Sequence, residues 1–189
     1  MKFLDSFCAD TSVVPRVIDK LLSDLKSISC PEDEINEIVL SMDEAVTNAI
    51  QETIKKKKIS LDAGALINEN DRNITIGYTI NRDEFEATII DHGKGLDIFD
   101  ILSTVPDNTS ESYRDEIINY ATESEKSKIK VRVNGREIPL RGIGAGLKII
   151  LRFMDDVSID LIDREKVIAS SVSEFTDGTI FKMKRRRRF

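Results

Sequence analysis

The spacing of apolar residues changes near residue 70, and this change limits the folds that the chain can adopt. Before it, apolar side chains recur every three or four residues, which is the period of an amphipathic helix. From Asn73 onward they recur every second residue, which is typical of a half-buried strand. The sequence therefore predicts helices followed by strands of a sheet.

Two helices are predicted before this change. The first spans Thr11 to Ile28, and the second starts at Ser29-Cys30-Pro31-Glu32, where a hydroxyl can cap the helix and a carboxylate follows three residues later. The second helix should run out at Lys55–Lys58, because positive charges suit the negative end of a helix dipole. We interpret these lysines as a solvated helix end rather than a binding patch.

The later segments predict a sheet interrupted by a long connection. A hairpin is expected from strands at 73–80 and 84–90, and its second strand ends at Asp91. A lid follows at about 97–141, with a short helix at 114–120, a strand at 129–133 and a turn at Asn134-Gly135. A helix at 145–154 and strands at 157–162, 167–172 and 179–183 complete the chain. The predicted fold class is α+β: a two-layer sandwich with a mixed, mostly antiparallel sheet and helices on one face.

Composition restricts the class of protein further. The chain has 189 residues, a formal net charge of −6 and two cysteines, Cys8 and Cys30. This length suits one domain, placed at 1–184, with a basic tail at 185–189 that we interpret as solvated. The unclustered cysteines fit a reducing compartment, and no apolar run reaches the roughly 20 residues that span a bilayer. We expect a cytoplasmic protein without membrane attachment, and the net charge disfavours nucleic-acid binding except through the basic C-terminal tail.

The second helix carries the first candidate site. Glu44 and Asn48 are four residues apart, so they stack on one face, away from the apolar stripe. An amide oxygen can bind Mg²⁺ without adding charge, and a carboxylate can deprotonate a nearby hydroxyl. Taken alone, such a pair on a polar helix face is usually ordinary solvated surface.

The second candidate is Asp91-His92-Gly93-Lys94-Gly95, which directly follows an apolar strand. An aspartate at a strand end can accept a hydrogen bond from an exocyclic amine, and the glycines let the backbone approach a flat ligand. Taken alone, the segment is also consistent with a glycine-rich turn. His92 is the single histidine and has no matching nucleophile motif, so we interpret it as a turn residue.

Two further segments complete the set. Arg141-Gly142-Ile143-Gly144-Ala145-Gly146-Leu147 opens a helix, where free backbone N–H groups can bind phosphate. It matches neither the P-loop nor the dinucleotide motif. Asp177-Gly178-Thr179 precedes the last strand and by itself indicates only a hairpin turn.

Together, in this order, the four segments resemble the GHKL ATPase superfamily, which includes gyrase, heat-shock chaperones, histidine kinases and mismatch-repair ATPases. Within it the sequence is most similar to the bacterial anti-sigma-factor serine/threonine kinases. The features that carry this similarity are the small single-domain length, the phrase Asp43-Glu44-Ala45-Val46-Thr47-Asn48-Ala49-Ile50, and Gly146–Ile150 running into Phe153–Val157. The resemblance covers roughly residues 10–184.

The resemblance implies ATP and Mg²⁺ as cofactors and a role for each matched residue. Asn48 would coordinate Mg²⁺ between the ATP phosphates, and Glu44 would be the general base for an attacking hydroxyl. Asp91 would accept from the adenine amine, with Thr179 acting through a shared water. The remaining cofactor-binding residues would be Gly93 and Gly95 at the base and Gly142, Gly144, Gly146 and Leu147 at the phosphates.

The resemblance also implies partners. In this family a serine or threonine on a small antagonist protein accepts the phosphoryl group, and the kinase homodimer also holds a sigma factor. The physical chemistry agrees, since phosphoryl transfer needs positioning and charge neutralisation more than covalent groups from the protein. The alternative is a non-catalytic module of the same fold, in which ATP closes the lid and changes partner affinity without turnover.

Overall fold

An eight-stranded sheet and three helices form the part of the chain that the structure describes. The structure is a computed structural model and describes residues 1–62, 73–93, 130–133, 136–137, 145–163, 168–169 and 176–187. The helices are α1 (Val13–Ser27), α2 (Glu32–Asp62) and α3 (Ala145–Phe153). The strands are β1 (Lys2–Cys8), β2 (Asn73–Ile80), β3 (Glu84–Asp91), β4 (Lys130–Val133), β5 (Arg136–Glu137), β6 (Asp156–Asp163), β7 (Ile168–Ala169) and β8 (Thr176–Arg186).

The sheet is mixed and mostly antiparallel. The strand order is β1-β2-β3-β8-β6-β4-β5, and β7 pairs with β6 outside this path. β4 and β6 pair in parallel, whereas the other recorded pairs are antiparallel. The neighbours β3 and β8 are aligned so that Asp91 lies opposite Thr179. This register brings two of the sequence motifs to the same end of the sheet.

The helices cover one face of the sheet. Side chains from all three helices and alternate residues of the strands form one apolar core. Its members include Leu21, Met42 and Ile150 from the helices and Ile89 and Val157 from the strands. Burial alternates along β2, β3 and β6, so the other face carries the remaining, more polar side chains. On that face Lys184 pairs with Glu86 at 2.8 Å. The predicted α+β sandwich with helices on one face is confirmed.

Most of the predicted elements correspond to observed ones. The hairpin is β2 and β3, the helix predicted at 145–154 is α3, and the predicted strands at 129–133 and 157–162 are β4 and β6. β4 and β5 pair across residues 134–135. That turn, the predicted helix at 114–120 and most of the lid at 97–141 lie outside the described residues. Strand β1 was not predicted.

The connection between α1 and α2 differs from the prediction. Ser29 has a φ of 54°, in the left-handed region, and its N–H bonds to the carbonyl of Lys26 at 3.0 Å. The N–H of Cys30 bonds to the carbonyl of Leu25 at 3.1 Å, which completes a Schellman ending of α1. The prediction that Ser29 caps α2 is therefore wrong, because this residue closes the preceding helix and α2 begins at Glu32.

Helix α2 is longer than predicted. It has 31 residues and continues through the four lysines to Asp62. Three acidic residues occupy its first turn, where they face the positive end of the helix dipole. Within the described part of the chain, no helix combines the length and the apolar character needed to cross a membrane.

The structure corrects the prediction of a solvated basic tail from residue 185. Arg185 belongs to β8 and is 1% exposed. Its guanidinium pairs with Glu37, donates to the carbonyl of Phe153 at 3.0 Å and lies 4.0 Å from Glu34 Oε1. The period of two along the strand turns Arg185 to the same side as the buried Met183.

Candidate functional site

Helix α2 presents four polar residues at intervals of about one turn: Glu44, Asn48, Glu52 and Lys56. Residues four apart in a helix stack along the same face. Asn48 is exposed and the other three are partly buried, while the apolar residues of α2 face the core. The predicted pair Glu44 and Asn48 therefore begins a polar face that continues for two further turns.

The start of α3 lies against this face. A Cβ atom placed on Gly146 would overlap Glu44 Oε2 and would stand 3.3 Å from Asn48 Nδ2. Gly146 therefore lets the backbone of α3 approach both polar side chains closely. The N–H groups in the first turn of a helix have no partners within it, so this end of α3 favours an anion.

Asp91 is the last residue of β3 and lies near Glu52, which is one turn beyond Asn48 on the polar face of α2. Its side chain is buried, with 6% of the residue exposed, and Oδ1 accepts the N–H of Gly93 at 2.7 Å. The hydroxyl of Thr179, its register partner on β8, donates to the same carboxylate. The two residues predicted to recognise an adenine amine thus contact each other directly.

The pKa of the Asp91 carboxyl lies near neutral pH. Burial raises the pKa of Asp91 to about 7, and the negative charge of Glu52 acts in the same direction. The hydrogen bonds from Gly93 and Thr179 and the positive charge of Lys56 lower this pKa. A buried acid whose charge depends on nearby charged groups is typical of functional sites.

Two more glycines fit closely around Asp91. A Cβ on Gly178 would overlap the backbone carbonyl oxygen of Asp91 and would lie 3.2 Å from the Cα of His92. A Cβ on Gly93 would stand 2.8 Å from the Cβ of Glu52 on α2. The end of β3 is therefore packed directly on β8 and on α2.

An ion pair that the sequence did not reveal lies beside this group. Lys56 Nζ is 2.9 Å from Asp177 Oδ1, and His92 Nδ1 is 3.9 Å from Asp177 Oδ2. The N–H of His92 also donates to the hydroxyl of the buried Thr53 at 3.4 Å. These contacts join α2, the end of β3 and the start of β8. A sequence signal for Lys56 did exist, since it continues the four-residue spacing of Glu44, Asn48 and Glu52.

The structure brings the predicted residues together in two groups. Glu44, Asn48 and Gly146 form one group, and Asp91, Gly93 and Thr179 form the other, which contacts α2 at Glu52. Asn48 and Glu52 are one helical turn apart, or about 5–6 Å along the axis, so the groups are neighbours. Leu147 packs against the core, and the three remaining predicted residues, Gly95, Gly142 and Gly144, lie outside the described residues.

The oxygen atoms of Glu44 and Asn48 fit a magnesium ion by their chemistry, because Mg²⁺ prefers hard oxygen ligands. Over the residues that the structure describes, no cluster of three or more His, Cys, Asp or Glu side chains is placed to hold a metal by itself.

Comparison with known proteins agrees with the fold. A family model described as the histidine kinase-like ATPase domain matches residues 7–170. This chain belongs to that family. A solved structure of the SiaB-SiaC complex from Pseudomonas aeruginosa superposes with a TM-score of 0.50, covering 97% of this chain and 89% of that chain at 13% identity. Identity at that level shows a shared fold alone. No curated protein gives a significant match.

Proposed function

We propose that this protein is an ATP-dependent protein serine/threonine kinase and anti-sigma factor, which phosphorylates a small antagonist protein and sequesters a sigma factor. The observation that supports it most is the arrangement along α2. Gly146 packs on Glu44 and Asn48, and Gly93, whose N–H bonds to the buried Asp91, packs on the next turn at Glu52. Membership of the histidine kinase-like ATPase family supports ATP as the nucleotide.

The group around Asp91 binds the base in this proposal. The carboxylate accepts a hydrogen bond from the exocyclic amine of adenine, and Thr179 assists from the neighbouring strand. Gly93 and Gly95 line the base, since the lack of a Cβ allows a flat ring to approach the backbone. Burial of Asp91 excludes water from this hydrogen bond and so strengthens it.

The group around Gly146 binds the phosphates. Asn48 would hold Mg²⁺, and the segment that supplies Gly142, Gly144, Gly146 and Leu147 would bind the phosphates at the start of α3. Mg²⁺, when bound, neutralises negative charge on the phosphate oxygens. The first turn of α3 adds backbone N–H donors to the same charges.

Glu44 acts as the general base. Its carboxylate takes the proton of the acceptor serine or threonine hydroxyl, whose oxygen forms a bond to the γ-phosphorus of ATP. The bond from the γ-phosphorus to the β,γ-bridging oxygen breaks, and ADP leaves. The close packing of Gly146 against Glu44 holds the carboxylate near the phosphate end of the site.

The protein partners are also part of the proposal. The superposed structure is a complex of SiaB with SiaC, which supports a fold that docks a second protein. By the resemblance of the motifs, we assign a small antagonist protein as phosphoryl acceptor, a sigma factor as second partner and a homodimer as the working state.

The test compares Glu44→Ala with Asp43→Ala, which removes the neighbouring carboxylate on α2. ATP binding is measured by calorimetry with and without Mg²⁺, and phosphoryl transfer is measured with candidate antagonist proteins. We expect Glu44→Ala to lower transfer by about 10²–10⁴-fold with ATP affinity nearly unchanged, and Asp43→Ala to retain both.

The result also separates the proposal from its alternative. ATP binding that changes the affinity for a partner, with no phosphoryl transfer in the unmodified protein, would indicate the non-catalytic module. An unchanged transfer rate in Glu44→Ala would refute the role of Glu44, and a failure to bind ATP would refute the nucleotide site itself.

A further inference from the structure

The lysine run of α2 does not lie at the end of the helix. The helix continues past Lys58 to Asp62, so attraction to the negative end of the helix dipole does not explain four consecutive lysines. Lys55 and Lys56 pair with acidic residues of this chain. Lys58 is exposed and has no ion-pair partner among the residues that the structure describes. Like charges one turn apart destabilise a helix slightly, so an acidic group from outside this fold would stabilise the run.

Exposed apolar side chains follow the same helix. Leu40, Ile54 and Leu61 are 42%, 39% and 55% exposed, and together with Thr47 they recur every seven residues. We call these four residues the outer seam. Seven residues are two helical turns, so the outer seam forms one nearly straight row about 30 Å long. The residues of α2 that belong to the core lie on another side of the helix, which leaves the outer seam turned to solvent.

The charges beside the outer seam change sign along α2. Glu32 and Asp33 lie in the first turn, and Asp43 lies in the same N-terminal half, whereas the lysine run lies in the C-terminal half. At about 100° per residue, Asp43 and Lys58 both project within about 60° of the outer seam around the helix axis. A negative half followed by a positive half is complementary to itself when two copies pack in opposite directions.

Two antiparallel α2 helices satisfy both patterns in one register. When Leu40 of one copy faces Leu61 of the second copy, the two middle residues of the outer seam face each other and Asp43 faces Lys58. A two-fold axis repeats each of these contacts. A shift by one heptad would instead place Leu61 opposite Asp33 and would separate the two charges. The apolar row and the charges therefore select the same arrangement.

We propose that the outer seam is the contact between two copies of this chain, which pack α2 on α2 in opposite directions with Asp43 of each copy paired to Lys58 of the other. The homodimer is part of the proposed function, on which the inference rests to that extent. The open face of the sheet suits this contact less, because Lys182 and Lys184 there already pair with acidic residues of the same chain.

The test uses two charge variants of the full chain, Lys58→Glu and Asp43→Lys, and measures the dissociation constant of the dimer by sedimentation equilibrium. Each variant alone brings two like-charged pairs together across the two-fold axis, so its dissociation constant should rise by at least about tenfold. In an equimolar mixture of the two variants, both charge contacts of the mixed dimer again join an acid to a base. The mixed dimer should therefore dissociate within about threefold of the unmodified protein.

Two further variants test the apolar row and the specificity of the charge effect. Ile54→Asn removes an apolar contact from both copies and should raise the dissociation constant by about tenfold. Lys26→Glu is the matched control, because it makes the same change in net charge at an exposed position of α1. It should leave the dimer unchanged. Since only folded chains can form the mixed dimer, its recovery excludes misfolding of the charge variants.

Three results would overturn the inference. They are a dimer that neither charge variant weakens, a mixture that associates no better than the separate variants, and an equal loss in Lys26→Glu. A chain that is monomeric at every concentration would overturn the inference together with the homodimer of the proposed function. ATP binding, measured by calorimetry on the same samples, tests the nucleotide site separately, so failure of the interface and failure of the proposed ATP site are distinguishable.

Discussion

Gly146 at the start of α3 lies directly against the carboxylate of Glu44 on α2. The two residues are 102 positions apart in the sequence, yet a Cβ on Gly146 would overlap Glu44 Oε2. The same Cβ would stand 3.3 Å from Nδ2 of Asn48, one turn further along α2. The start of α3, which we propose to bind phosphate, and the proposed general base therefore meet at this one contact.

Replacing Gly146 with alanine should impair the site without unfolding the protein. The overlap falls on the far end of a flexible side chain, so Glu44 can move aside at small cost. Alanine is also favoured over glycine in a helix by about 1 kcal/mol. We expect a change in the free energy of unfolding below about 1 kcal/mol. Phosphoryl transfer should fall by at least about tenfold, because Glu44 leaves its position.

Urea unfolding and transfer assays on the same preparation measure these two effects. Gly77→Ala is the matched control, because its Cβ would stand 3.1 Å from the exposed Leu4 side chain, on the other face of the sheet. Normal transfer in Gly146→Ala would show that the contact between α3 and Glu44 has no part in catalysis.

Gly178→Ala should act on stability instead. Here the overlap is with the backbone carbonyl oxygen of Asp91 and, at 3.2 Å, the Cα of His92. Backbone atoms cannot rotate aside, so β3 and β8 would have to separate locally. We expect the free energy of unfolding to fall by about 2–4 kcal/mol, measured by urea denaturation. A loss as small as that of Gly77→Ala would contradict the observed packing of these strands.

Asp91→Asn should stabilise the nucleotide-free protein at pH 8. The pKa of Asp91 in the folded state, about 7, lies above its usual value of 3.8. The folded state thus gains from protonation at low pH, and this contribution is lost as the pH rises through 7. From pH 5 to pH 8 the unmodified protein should lose about 2–3 kcal/mol relative to Asp91→Asn.

Urea denaturation of both proteins at pH 5 and pH 8 tests this expected difference. An equal change in the free energy of unfolding of both proteins between the two pH values would refute it.

The same substitution should weaken ATP binding by about 1–3 kcal/mol, because it places an amide where an acceptor is needed. A gain in stability with a loss of binding indicates a carboxylate kept for function rather than for folding.

The helices, the central hairpin and the start of α3 could be predicted because each depends on local spacing. The pair Glu44 and Asn48, Asp91 at a strand end and Gly146 at a helix start are likewise local signals, and the structure places all of them along one face of α2. Their convergence is not visible in any one segment. It became predictable only from their order along the chain and the resemblance that this order carries.

The elements that could not be predicted depend on distant partners. β1 is an edge strand that pairs with β2 some 70 residues later, and only Phe3 and Phe7 in it turn toward the core. The ion pair of Lys56 with Asp177 joins residues 121 apart. The four lysines were interpreted together as a solvated helix end, so the spacing that sets Lys56 apart from the other three was missed, and its distant partner Asp177 could not be predicted from a local pattern.

Arg185 provides the last prediction, because it carries a buried charge at the end of the sheet opposite to Asp91. Its guanidinium pairs with Glu37 and bonds to the carbonyl of Phe153, with Glu34 at 4.0 Å and only 2% exposed. Arg185→Met would leave two carboxylates of α2 without their cation. We expect the free energy of unfolding to fall by about 3–5 kcal/mol.

The matched control is Arg186→Met, at the exposed neighbouring position of β8, which should change the free energy of unfolding by less than about 0.5 kcal/mol. Denaturation of both variants in urea gives the comparison. Arg185→Met together with Glu34→Gln and Glu37→Gln should recover part of the lost stability, because the uncompensated charges are removed with the cation. Equal stability of Arg185→Met and Arg186→Met would mean that residue 185 is solvated, as its place in an arginine run had indicated.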